Sequence, residues 1–249
     1  MVVRSLARCA LAAGLLSVAG MANASGLQIA PVGLEFLPSI PAQGLWLTNT
    51  GADVLHAQVR VFHWTEAGGK DVLTPTRALV ASPPMLGLAP NSRQLVRVIR
   101  LDATDASGGE DAYRLLVDEL PQPGRQKQTG VRYVLRYSIP VFVEPGKPPG
   151  ADAVAAKLRW SLVRDGEGIA LQLRNAGATH AQLSDVSLLP PGGTPIKVSS
   201  GLLGYALAGM TMRWPLQVSA SRLPSGTRLK VAINGKPVEQ AVAVGDLPR

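Results

Sequence analysis

The side chains able to do chemistry are few, and their spacing does not bring them together. The three histidines are His56, His63 and His180. His56 and His63 stand seven apart, an odd spacing that sends them to opposite faces of one strand, where they cannot readily share a metal ion. All three read as surface or core histidines. Asp118 and Glu119 are neighbours in an extended run. They also point to opposite faces, which makes a poor general acid and base. No G-x-S-x-G elbow, P-loop or H-E-x-x-H pair occurs. Nothing in these patterns points to an enzyme, a cofactor or a metal.

What remains is the chemistry of a strand edge, backbone N–H and C=O groups seeking partners. Gly130 to Pro145, GVRYVLRYSIPVFVEP, is the stretch that best supplies it. Val131, Tyr133, Leu135, Tyr137 and Ile139 fall on one face of an extended chain, with Arg132, Val134, Arg136 and Ser138 on the other. Pro140 has no N–H for a ladder, and within sheets proline keeps to edges, strand starts and bulges. A long apolar edge strand is an aggregation hazard unless it serves to pair with another chain.

Several bulk features bound the setting. Arg4 and Arg8, the apolar stretch Ala10 to Ala22 and the small residues Ala22-Asn23-Ala24 compose a secretory signal peptide, with cleavage expected after Ala24. Its apolar run is too short for a membrane anchor. Cys9, the one cysteine, leaves with it, so the exported chain lacks disulfides and relies on packing. Removing two arginines takes the net charge from +8 to +6. The basic residues are scattered and the chain is exported, which argues against a nucleic-acid partner. No later segment is long and apolar enough for membrane insertion. The expected location is the periplasm.

Short apolar runs between turn signals indicate an all-β protein, and the 26 glycines and 20 prolines are spread throughout. Leu27 to Leu37 reads as one edge strand broken at Pro31 and Gly33 by a switch or bulge. Strands are expected at Gly44–Asn49, Val54–Trp64 (with Leu55, Ala57, Val59, Val61 and His63 on one face), Gln94–Leu101 and Ala112–Leu120. The stretch Glu144 to Asp152, EPGKPPGAD, reads as a stiff linker. Beyond it strands are expected at Leu158–Val163, Ile169–Asn175, Gln182–Leu188, Arg213–Val218 and Arg228–Ile233. The pattern describes two β-sandwich domains, 25–146 and 151–249, after the signal peptide at 1–24.

An ordered series of short motifs then makes a resemblance. Leu27-x-Ile-x-Pro-Val32, Leu47-Thr-Asn-Thr-Gly51, Ser82-Pro-Pro84 with Leu88-x-Pro90, and Gln94-Leu-Val-Arg97 come first. Tyr113-Arg-Leu115, Glu119-Leu-Pro121 and Tyr137-Ser-Ile-Pro-Val-Phe-Val143 with Pro145 follow, and Leu203-Gly-Tyr-Ala-Leu-Ala-Gly209 with Arg213-Trp214 carry it into the second half. The series resembles the periplasmic pilus-assembly chaperones of the chaperone–usher pathway, PapD-like proteins, and its wording is similar to their archaic or alternative branch. The resemblance implies two immunoglobulin-like domains set in an L around a cleft. It implies a strand lent to an unfinished pilus (fimbrial) subunit until an outer-membrane usher replaces it. Val131, Tyr133 and Leu135 would form the lending face, with Tyr137 and Ile139 nearer the cleft. Exposed Tyr133 and Leu135 also suggest capping by self-association when the protein is free.

In the best-known branch two basic residues hold the subunit's C-terminal carboxylate in the cleft. The matching positions here are Gly33 and Pro140, and neither can do so. Arg114 is the first replacement candidate, because antiparallel pairing of Ala112–Leu120 with the central strand puts it near the elbow. A guanidinium grips a carboxylate through two parallel hydrogen bonds. Arg97 and Arg136 follow. Against this, Arg114 would instead be occupied by Asp118 or Glu110, or would lie on a solvated surface. A different reading is a structural or adhesive two-domain cell-surface protein.

Overall fold

The computed structural model describes residues 26–101, 109–121 and 134–245. Among the described residues, ten strands precede the linker: β1 Leu27–Ala30, β2 Leu34–Phe36, β3 Ala42–Asn49, β4 Leu55–Ala67, β5 Lys70–Pro75, β6 Leu79–Ser82, β7 Met85–Leu88, β8 Arg93–Arg100, β9 Asp111–Leu120 and β10 Arg136–Val143. They form two sheets, ordered β1-β3-β8-β6 and β2-β10-β9-β4-β5, with β7 also paired to β4. The first strand is shared between the sheets. Pro31 and Gly33 stand between β1, antiparallel to β3, and β2, parallel to β10. The expected break at these residues is therefore a switch of sheet.

Alternation builds the core between the two sheets. Leu45, Leu47, Leu55, Ala57, Val59, Val96, Val98, Leu115, Val117, Ile139, Val141 and Val143 are buried in one cluster. At the end of β4 the buried side reverses: Trp64 and Glu66 are buried, whereas Val61 and His63 are only half-buried. The reversal comes from the second sandwich, which packs on the opposite face of β4.

A short helix, α1 (Ala151–Ala155), begins inside the expected linker. Eight strands follow: β11 Leu158–Asp165, β12 Gly168–Asn175, β13 Ala181–Leu189, β14 Ile196–Lys197, β15 Leu202–Ala206, β16 Thr211–Leu216, β17 Arg228–Ile233 and β18 Lys236–Val244. They run β14-β13-β17-β18-β11-β12-β16, with β15 beside β13. β18 connects the layers, pairing antiparallel with β17 over Lys236–Ala241 and parallel with β11 over Val242–Val244. This second immunoglobulin-like sandwich has its own core around Leu162, Leu171, Leu173, Leu183, Val186, Leu188, Leu229 and Val231.

One turn device appears in both halves. Asn49 and Asn175 each end a strand, are essentially fully buried, and precede a glycine by two residues. Each side-chain oxygen accepts the N–H of that glycine, Gly51 or Gly177, at 2.9 Å. Each amide nitrogen donates to the carbonyl four residues on, Asp53 or Thr179, and to a distant strand end, Leu88 or Ala206. One side chain thereby replaces the lost ladder partners of three backbone groups.

Candidate functional site: the free edge of β10 and the cleft

The edge strand β10 is paired along its whole length on one side only. β9 runs beside it from Arg136–Asp118 to Val143–Asp111. On the other side β2 reaches only Val141 to Val143. Among the described residues, Arg136 to Pro140 therefore have no strand along that second edge. The N–H of Glu119 donates to the carbonyl of Leu135 at 3.0 Å. Ladder groups alternate in direction, so residues 135, 137 and 139 face β9, while 136, 138 and 140 present theirs to the open edge. Pro140 sits where an N–H would point away from β9, which is why the ladder tolerates it.

The side chains of β10 divide between two cores. Ile139, Val141 and Val143 belong to the first sandwich, and half-buried Tyr137 packs against it with its hydroxyl donating to the Leu27 carbonyl. Phe142 points the other way, into a small cluster at the seam with Trp64, Ala112, Tyr205 and Leu207. Trp64 and Tyr205 meet edge to face at 5.4 Å, and Phe142 stacks on His180 at 3.5 Å. Each of these large apolar side chains contributes roughly 1.5–3 kcal/mol of burial. The buried Glu66 carboxylate adds a polar tie, accepting the Leu207 N–H at 3.1 Å from either oxygen. Burial raises its pKa to about 7 despite that hydrogen bond.

Beside the seam lies a cavity of about 500 Å³, lined by Gly33, Glu35 and Pro140 from the first sandwich and His180, Gln182 and Tyr205 from the second. A Cβ on Gly33 would come 3.8 Å from the Pro140 ring. The two positions expected to lack the usual basic residues are thus adjacent in this cleft. The side of β10 that lines it carries Pro140 and Phe142. Ile139, next to Pro140, faces the interior of the first sandwich and half-buried Tyr137 packs against it, because the second sandwich packs on the opposite face.

The three arginines have different surroundings. Arg114 is register partner to Pro140. Its guanidinium lies 3.6 Å over the Trp64 ring, 5.2 Å from that of Tyr205 and 3.6 Å from Asp71. Burial lowers its pKa, partly offset by Asp71, Tyr205 and Glu66. The expected competitors do not occupy it: Asp118 pairs with Arg60 and Arg136, and Glu110 with His180. Arg136 is held by Asp118 at the start of β10, at the end of the strand away from the linker. Arg97 is exposed on β8, in the other sheet, and is not among the cleft residues. Leu135 is half-buried just before β10, while Val131 and Tyr133 lie outside the described residues.

Sequence reasoning passed over Glu66, Trp64, Glu144 and Tyr205 as seam residues. Glu110 had been weighed only as a partner for Arg114, and His180 only as a surface or core histidine. A buried charged residue in an otherwise alternating strand, as at Glu66, is the one signal that marks such a contact.

The fold is that of a two-domain immunoglobulin-like protein whose strand β10 is open along part of one edge among the described residues. Its likenesses among solved structures are in shape. One chain of the Acinetobacter baumannii CsuC–CsuE chaperone–tip adhesion subunit complex, from archaic chaperone–usher Csu pili, superposes with a TM-score of 0.68. The match has 24% identity, over 89% of this chain and 100% of that one. The Pseudomonas aeruginosa CupB2 chaperone gives 0.59 at 18% identity, over 86% and 100%. A chain of the Salmonella enterica SafA pilin–SafB chaperone complex gives 0.62 at 16%, over 88% and 97%. At these identities the likeness establishes fold. No curated protein matches the sequence. Residues 26–149 match the pili and flagellar-assembly chaperone family, PapD N-terminal domain, and the chain belongs to that family.

Proposed function

We propose that this protein is a periplasmic chaperone that binds pilus subunits, completes them with the open edge of β10, and delivers them to an outer-membrane usher. The observation that carries the reading is the edge of Arg136 to Pro140, which offers backbone groups beside a cleft and, among the described residues, has no strand paired to it there. Such an edge gives an extended partner main-chain affinity, and side-chain pockets give it register. Arg114 is the anchor for a subunit carboxylate, since it adjoins Pro140 and its ion pair with Asp71 is long and half exposed. Val131, Tyr133 and Leu135 extend the lending strand toward the subunit. The signal peptide ends at Ala24, and the functional units are 25–146 and 151–249.

The test is co-expression of the exported protein with the small secreted proteins encoded beside it. A one-to-one complex is expected, and Leu135→Asp is expected to abolish it with little change in melting temperature. Absence of any complex, with the protein found on the cell surface, would replace this reading by a structural or adhesive one.

A further inference from the structure

Glu110, Glu144 and His180 come from three separate segments and converge at the seam. Glu110 immediately precedes β9 and Glu144 immediately follows β10, and the antiparallel register of those strands sets the two side by side. His180 immediately precedes β13 of the second sandwich. One carboxylate oxygen of each glutamate and one ring nitrogen of the histidine all lie within 4.8 Å of one another.

Among the described residues, the group is short of positive charge. Glu144 is only 2% exposed, and its Oε2 is buried without a hydrogen-bond partner. The charged neighbours that act on the glutamates, besides each other and His180, are acidic: Glu35 and Asp111. A buried carboxylate oxygen lacking a donor or a cation is costly. The histidine is prepared as a ligand. Its ring is fixed against Phe142 by parallel stacking, and its backbone N–H donates to Glu110 Oε1 at 3.1 Å. Its Nδ1 stands 2.6 Å from Glu110 Oε2.

We infer that Glu110, Glu144 and His180 bind a divalent transition-metal ion that ties the two sandwiches together. One imidazole nitrogen and two carboxylate oxygens suit zinc or a neighbouring first-row ion, with water completing the shell. Donor atoms around a tetrahedral zinc sit about 3.3 Å apart. The ion would therefore draw the group inward from its 4.8 Å spread and widen the short Glu110–His180 contact. His180 also lines the cleft cavity, which provides the route of entry.

The test uses the exported protein, stripped with a chelator and titrated with zinc chloride alone by calorimetry, with bound metal counted by mass spectrometry. One zinc per chain and a rise in melting temperature are expected. Glu144→Gln, which keeps shape and removes only the charge, and His180→Gln should each weaken binding at least tenfold, about the smallest loss seen for outer-shell changes. His56→Gln serves as the control and should leave binding unchanged. Circular dichroism shows that each variant is folded. Absence of saturable binding by the parent protein for zinc, nickel and manganese overturns the proposal. So does one-to-one binding that survives both cluster substitutions.

Discussion

Arg114→Ala separates the anchoring role of this arginine from its structural one. The guanidinium is 12% exposed and stacks 3.6 Å over Trp64. A partly desolvated cation–π contact of this kind contributes roughly 0.5–2 kcal/mol. The Asp71 pair, long and half exposed, adds under about 1 kcal/mol. Truncation also removes the cost of burying the charge, so the net loss of stability is about 1–2 kcal/mol. In a protein of this length that lowers Tm by roughly 2–8 °C. Subunit binding should suffer far more. Removing one partner of a desolvated charge pair costs about 2–5 kcal/mol, or roughly 30- to 5,000-fold in Kd. Arg114→Lys keeps the charge but loses the planar fork, so it should fall between the two. Arg97→Ala, on the other sheet, should stay within about threefold of the parent. The assay is calorimetric or competition binding to a purified subunit held by the parent chaperone, with Tm measured alongside. If Arg114→Ala loses the expected few degrees of Tm yet binds within about threefold of the parent, the anchoring argument fails.

Two further outcomes follow from buried polar groups. Asn49→Ala and Asn175→Ala should each cost about 2–4 kcal/mol, because each leaves one buried N–H and several carbonyls unpaired. Calorimetry should show the loss chiefly in the sandwich that carries the change. Glu66 is raised to about 7 in the folded protein against an ordinary value of 4.5, chiefly by burial. A raised carboxyl contributes its stability in full below 4.5 and loses it as pH climbs through about 7. Tm should therefore fall between pH 5 and 8, by the equivalent of roughly 2–3 kcal/mol. Glu66→Gln, whose oxygen still accepts the Leu207 N–H, should remove that share of the slope and leave the share of Glu110 and Glu144, which burial also raises, to about 7 and about 8. A slope unchanged in Glu66→Gln would assign the titration to other groups.

Period-two patterning made most of the strands legible. The interiors of β3, β8, β9, β11, β12, β13 and β17 fall where apolar alternation placed them, and Pro31 with Gly33 marked the sheet switch. β18 escaped notice because its alternation, Lys-Pro-Val-Glu-Gln-Ala-Val-Ala-Val, is weakly apolar over its first half. β5 has no buried residue, so it shows no hydrophobic face to detect. The helix α1 hid inside a stretch whose prolines and glycines suggested only a linker. The candidate site was legible in part. Antiparallel pairing alone brought Arg114 to the end of the central strand, whereas its bed on Trp64 and Tyr205 depends on contacts made 91 residues apart, from Arg114 to Tyr205. Likewise, nothing local marks the reversal of the buried face at Trp64, or the meeting of Glu110, Glu144 and His180. Those arise only when one sandwich lies against the other.

The division of β10 between two cores has a further consequence. Alternate residues are pinned on opposite sides, Ile139, Val141 and Val143 in one body and Phe142 against the other. A slip of one residue along the strand would turn each of these side chains into the wrong body. The strand is thereby a ruler whose zero mark is fixed at the junction, and every position counted back from Phe142 has a fixed distance and facing. A partner lying along its open edge would find its own frame of pairing set before the first backbone bond forms.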